Sequence, residues 1–185
     1  PKLREVILSD LFRLADLKDD LTGYHACFFC LGVSAAGMSE SDYRRVTLYL
    51  ATLAAEVLEE VSPGLTFCYV SAQGADSSEM GRIMWARVRG ETENRLLQMP
   101  FPVFIFRPGV IQPLKGVRSR IRYVRVLYRV IGPFFPLLNR LLPNQVTTSV
   151  RIGQAMIRAA IAGYSKHVLE PRDINALAMG ARTNG

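Results

Sequence analysis

Ala26-Cys27-Phe28-Phe29-Cys30-Leu31 is a short apolar run that closes on Gly32, and its pairing with the next two elements sets the fold class. Apolar side chains at consecutive positions mark a strand covered on both faces, as in a parallel sheet. From residue 41 to 61 the apolar positions return at helical spacing instead. Val46, Leu50, Leu53 and Val57 share one stripe, and Arg45, Glu56, Glu59 and Glu60 lie off it. Leu65-Thr66-Phe67-Cys68-Tyr69-Val70 is strand-like again. A buried strand, a long amphipathic helix and a second strand make a βαβ unit.

The alternation continues on both sides of this unit. Residues 5–8 predict a short strand and residues 14–21 a short helix. Residues 78–97 predict a helix and 103–106 a strand. The resulting βαβαβαβ order predicts an α/β fold, a doubly wound parallel sheet with helices on both faces. After Pro108-Gly109 the pattern changes. Residues 117–131 are helical, with Arg118, Arg122, Arg125 and Arg129 on one face, and residues 137–142 form a short helix ended by Pro143. A helix over 149–161, N-capped by Thr148 or Ser149, and a strand over 167–169 complete one expected domain spanning 1–185.

The chain has 185 residues, 49% hydrophobic and 21% charged, enough for a core without disulfide or metal staples. No apolar run reaches the roughly 18 residues of a membrane span, and the first residues lack the apolar core of a signal peptide. A cytoplasmic protein is expected. Cys27 and Cys30 form a C-x-x-C, but residues three apart on a strand point to opposite faces. Both are expected to be buried, with no metal between them. His25 and His167 lack neighbouring nucleophiles or ligands and are read as structural. The net charge of +7 is local: Lys115, Arg118, Arg120, Arg122, Arg125, Arg129 and Arg140 share a stretch without an acid. No nucleic-acid reading motif accompanies them. A solvated charged face is favoured over membrane-surface binding, which an arginine-striped helix could also provide.

Ligands of open α/β sheets bind beyond the carboxyl ends of strands. Three such ends carry small or polar residues: Gly32 to Gly37, Ser71 to Asp76, and Arg107-Pro108-Gly109-Val110. In their order and spacing they resemble the atypical and extended short-chain dehydrogenase/reductases, closest to the branch of Tat-interacting-protein-like and bacterial epimerase-like proteins. The resemblance runs from Glu5 to Leu177. It implies NAD or NADP as cofactor, an unassigned small-molecule substrate, and leaves a homodimer open. Ser9-Asp10 resembles the strand-end aspartate that contacts adenine, although Asp10 could equally cap a helix. Gly32 matches the segment lining the cofactor, and Thr47 falls where the family has a helix asparagine. Ser71 lies in the stretch supplying the catalytic serine, with Ala72 or Gln73 as alternative registers. Arg107-Pro108-Gly109-Val110 is similar to the loop beside the nicotinamide. Residues 112–145 match the region that builds the substrate side of the cleft.

Two features depart from the family. The Gly-rich turn that holds the pyrophosphate at a helix N-terminus is absent from these 185 residues, as are the first two strands, so the sequence reads as N-terminally incomplete. Without that turn a dinucleotide is not expected to bind normally; a longer form containing one is expected to bind it. The family's active-site helix carries Tyr, then Lys four residues on, often with Glu four further. Here the spacing is met by Trp85, Arg89 and Glu93. An indole N–H is too weak an acid to replace a lysine-tuned phenol in proton transfer, whereas Arg89 can still donate to ribose hydroxyls. Trp85 could also simply pack against the sheet. The expectation is an NAD(P)-dependent oxidoreductase- or epimerase-like enzyme using Ser71, Trp85 and Arg89. The alternative is a non-catalytic dinucleotide-binding regulator or scaffold.

Overall fold

A computed structural model of the chain describes residues 3–112 and 145–180. The fold is mixed α/β. Its strands are β1 (Ala26–Phe29), β2 (Thr66–Val70), β3 (Val103–Phe106), β4 (Val110–Gln112), β5 (Val146–Thr148) and β6 (Val168–Leu169). Four of them form a parallel sheet in the order β1-β2-β3-β6, flanked by helices, and β4 and β5 form a separate parallel pair. By internal contacts the chain divides into two compact units, Pro1–Tyr69 with Ala75–Val103, and Val70–Gly74 with Phe104–Gly185.

In the first unit β1 pairs with β2 from Ala26↔Thr66 to Phe29↔Tyr69. A 3₁₀ helix (Leu11–Leu17) and α1 (Lys18–Leu21) precede β1. Between the strands runs one helical rod: α2 (Glu40–Arg44), a π turn (Arg45–Tyr49) and α3 (Leu50–Val61). Ser39 caps its start by accepting from the Asp42 amide. The π turn matters for packing. Residues five apart face different directions in an α-helix, but the i→i+5 winding of a π turn brings them together. Tyr43 and Leu48 accordingly both enter the cluster around Val88 of α4 (Met84–Leu97). The buried face of the rod is thus Tyr43, Leu48, Leu50, Ala51, Ala54, Ala55, Val57 and Leu58. It is not the uninterrupted stripe through Val46 and Leu53, both of which stay half-buried.

The second unit holds β6 beside β3, with Ile105↔Val168 and Phe106↔Leu169 in register, and the β4–β5 pair. Helices α5 (Ser149–Ala162) and α6 (Pro171–Ala178) complete it. Thr148 caps α5, and Glu170 with Asp173 form a reciprocal capping box on α6. The basic stretch within 112–145, including both helices expected there, lies outside the described residues apart from Gln112 and Gln145. No helix among the described residues is long and apolar enough to cross a membrane.

Several sequence expectations are corrected. Residues 5–8 form no strand; Leu3 and Ile7 are 83% and 86% exposed, so the run has no sheet to join. Strand β1 lies at the edge of the sheet and is not covered on both faces; Phe28 stands 43% exposed. Cys30 falls beyond the strand's end and is exposed, while Cys27 is half-buried, so the two thiols are not both enclosed. The helix expected over 78–97 starts six residues later, at Met84. Asp76 stops it: its carboxylate accepts from the Ser78 and Gly81 amides and from the Ser78 hydroxyl, turning the chain locally. Glu79, at φ 61°, completes that turn.

Candidate functional site

In the first unit the candidate site is built on α4. Gly90 sits where the helix presses on the Asp76 carbonyl; any Cβ there would fall far inside van der Waals contact with backbone. That close approach fixes the helix position beneath the Asp76 turn. Two ion pairs fix its rotation, Arg87 to Glu40 at 2.7 Å and Arg44 to Glu91 at 2.6 Å. Trp85, Arg89 and Glu93 share the resulting face. Glu93 is 1% exposed, Arg89 and Trp85 are half-buried, and Trp85 packs on the Tyr43–Leu48–Val88 cluster beside Ala35, Met38 and Met84.

Among the described residues, Arg89 is held through its Nε alone. Its Nε–H donates to the Tyr43 hydroxyl at 2.9 Å. Its charge also reaches the Tyr69 phenol, which burial pushes far above its usual pKa and the guanidinium draws partly back. Its Nη2 lies 3.8 Å from where a Cβ on Gly32 would stand, beyond the carboxyl end of β1. Among the described residues no carboxylate pairs with Arg89, and its two terminal nitrogens have no hydrogen-bond partner. A half-buried guanidinium whose two terminal nitrogens are unpaired among the described residues, beside an exposed glycine backbone, can take a vicinal diol or an anion.

In the second unit the sequence candidates are differently employed. Arg107, with 12% of its side chain exposed, donates from Nη1 to Glu170 at 3.2 Å. The Pro108 carbonyl accepts from the Gln73 amide at 3.0 Å, and the Val110 amide donates to Gln145 O at 3.1 Å. A Cβ on Gly109 would stand 2.5 Å from that same Gln145 oxygen and 2.7 Å from Gln73 Oε1. Gln73 also donates to the Gln145 side chain at 2.7 Å. The Arg107–Val110 loop is therefore clamped by two glutamines and a glutamate. Ser71 is 5% exposed, and its amide donates to Phe106 O at 2.7 Å.

The remaining candidates lie apart from Arg89 in character. Asp10 is the N-cap of the 3₁₀ helix, accepting from the Phe12 amide at 3.0 Å, and follows an irregular segment rather than a strand. Thr47 is buried inside the π turn. A hollow of about 310 Å³ is lined by Leu11, Leu14, Leu21, Cys27 to Leu31, Leu50, Ala54 and Leu58. Apart from thiols it offers no side-chain donors or acceptors to orient a polar ligand. Burial first, then the neighbouring Cys30, pushes the Cys27 thiol up to about 12. No cluster of three or more metal-binding side chains occurs among the described residues.

No protein-family model matches the sequence, and no curated protein matches it. Tyr43 is the site residue that sequence spacing did not reveal. It stands 46 positions from Arg89 in the chain, and only the π turn and the packing of α2 on α4 bring the two together.

Proposed function

We propose that the chain is a Rossmann-like NAD(P)-binding domain of the short-chain dehydrogenase/reductase class, serving an oxidoreductase- or epimerase-like reaction on a small molecule. The observation that carries this reading is the Arg89 guanidinium: tethered through Nε, unpaired at both terminal nitrogens among the described residues, and set against Gly32 past the end of a parallel strand. Strand ends are where α/β sheets hold ligands, and the glycine leaves room for a ribose to approach. The fit covers the nicotinamide-ribose half of the cofactor, for which Arg89 would hold the diol. The pyrophosphate half finds no Gly-rich turn in these residues. When bound, the dinucleotide would supply the hydride chemistry; this chain's part is to orient it.

A second reading, a dinucleotide-binding regulator without catalysis, draws support from Trp85. Its ring packs on an apolar cluster, and indole supplies no acid there. Nicotinamide mononucleotide distinguishes binding from its absence without needing a Gly-rich turn. Titrated to a few millimolar into ¹⁵N-labelled protein, it is expected to shift the Gly32 amide and the Arg89 Nε–H, with Kd about 1 mM. No shift with this ligand, NADH or NADPH would overturn the cofactor reading. Hydride transfer to generic carbonyl compounds, present or absent, then separates enzyme from regulator.

A further inference from the structure

We infer that Tyr43 is the positioning residue of this site, and that it works because position 89 is arginine. The inference rests on the dinucleotide reading above. The Tyr43 ring is 1% exposed, locked in the cluster with Leu48 and Val88, so its hydroxyl is a fixed point. The hydroxyl accepts from Arg89 Nε at 2.9 Å. Arginine has five donors in a rigid plane, and using the Nε–H leaves both terminal groups pointing on as a fork. The fork's Nη2 reaches the Gly32 backbone region, 3.8 Å from its Cβ direction. A lysine at 89 has one nitrogen, which would have to divide itself between the phenol and the ligand. A free arginine side chain loses rotamer freedom when a ligand orders it; here Tyr43 has ordered it beforehand. The π turn at Arg45–Tyr49 sets Tyr43 and Leu48 on one face and so belongs to the same device.

The test is a double-mutant cycle read with nicotinamide mononucleotide. Tyr43→Phe keeps the ring and the core and removes only the acceptor. It is expected to weaken binding about three- to ten-fold and to expose the Arg89 Nε–H to rapid solvent exchange in NMR. In an Arg89→Lys background, itself weaker than wild type, the same Tyr43→Phe change is expected to cause no further loss, because the phenol then only competes with the ligand for the one lysine nitrogen. If Tyr43 only supports the core, Tyr43→Phe lowers Tm while Kd and Nε–H exchange stay as in wild type, and the inference falls. Additive losses in the double variant overturn it equally. Failure of wild type to bind removes the cofactor reading first, and this role with it.

Discussion

Arg89 and Arg107 invite direct comparison. Each is a mostly enclosed arginine near the end of a sheet element, and each is followed within two residues by a glycine pressed against backbone, Gly90 on Asp76 and Gly109 on Gln145. They differ in what holds them. Arg107 meets the Glu170 carboxylate, and its loop is clamped by Gln73 and Gln145. Among the described residues, Arg89 meets a neutral phenol through one nitrogen and no carboxylate. Placing a guanidinium away from water without a counter-charge is unfavourable, so the protein tolerates at Arg89 a demand that it satisfies at Arg107. On the proposed reading, stability is served at one arginine and ligand binding at the other.

The largest effects are expected at the two glycines. Gly90→Ala is expected to cost about 3 kcal/mol or more and Gly109→Ala somewhat less, because backbone must move in both. Gly153, mid-helix in α5 with nothing within 4 Å of its Cβ direction, supplies the control. Gly153→Ala is expected to stabilise by about 0.5–1 kcal/mol. Urea denaturation reads all three; a neutral Gly90→Ala would mean that α4 is not pinned beneath the Asp76 turn.

Replacing the arginines separates stability from binding. Arg107→Gln is expected to destabilise by about 1–2 kcal/mol, since it removes a charge-assisted hydrogen bond, with nicotinamide mononucleotide affinity unchanged. Arg89→Gln is expected to cost less than about 1 kcal/mol in stability but to weaken binding at least about ten-fold, one lost bond to a bound group being worth that much. Reversed outcomes would exchange the roles of the two residues.

Thiol labelling extends the same contrast to the strands. Cys30 is exposed at the sheet edge, whereas Cys27 and Cys68 are held protonated, each pushed up to about 12 chiefly by burial. Only thiolate reacts; burial raises the Cys30 thiol too, but Cys30 is the exposed one, so it should label first in native protein, half-buried Cys27 more slowly and buried Cys68 last. Equal rates would contradict the edge position of β1. The smallest effect concerns Asp76. Its carboxyl is held below the usual range, first by the Ser78 hydroxyl and then by the Gly81 amide. The turn's contribution is therefore present above that range and lost as pH falls through the lowered value. NMR should show Gly81 amide exchange accelerating only in strong acid; titration of Asp76 at or above the ordinary value would refute the hydrogen bonding.

Much of this architecture was legible in the sequence. The apolar runs at 65–70 and 103–106 announce β2 and β3, because buried strands need no alternation, and the run at 26–31 announces β1 although it lies at the sheet edge. Thr148 announces the α5 cap. What periodicity could not show was the π turn, since one extra residue per turn leaves composition unchanged and moves the buried face from Val46 to Leu48. Residues 5–8 are apolar enough for a strand, but a strand needs a neighbour, which is a tertiary fact. Within the proposed site, Arg89 and Gly32 were expected from the resemblance to the family's motif and cofactor-lining segment. Tyr43 was not, because its partner lies 46 residues away and the contact depends on helix packing. Strands β4 and β5 escaped because three residues carry too little pattern.

If Arg89 is the ligand-binding arm and Arg107 a structural one, a single experiment can show it. Arginine-selective ¹H–¹⁵N NMR during titration with nicotinamide mononucleotide reports on both side chains at once. Binding at Arg89 predicts that its Nε–H and the Gly32 amide shift together and saturate with one Kd, while the Arg107 Nε–H stays in place. A titration that moves Arg107 and leaves Arg89 and Gly32 still would contradict it.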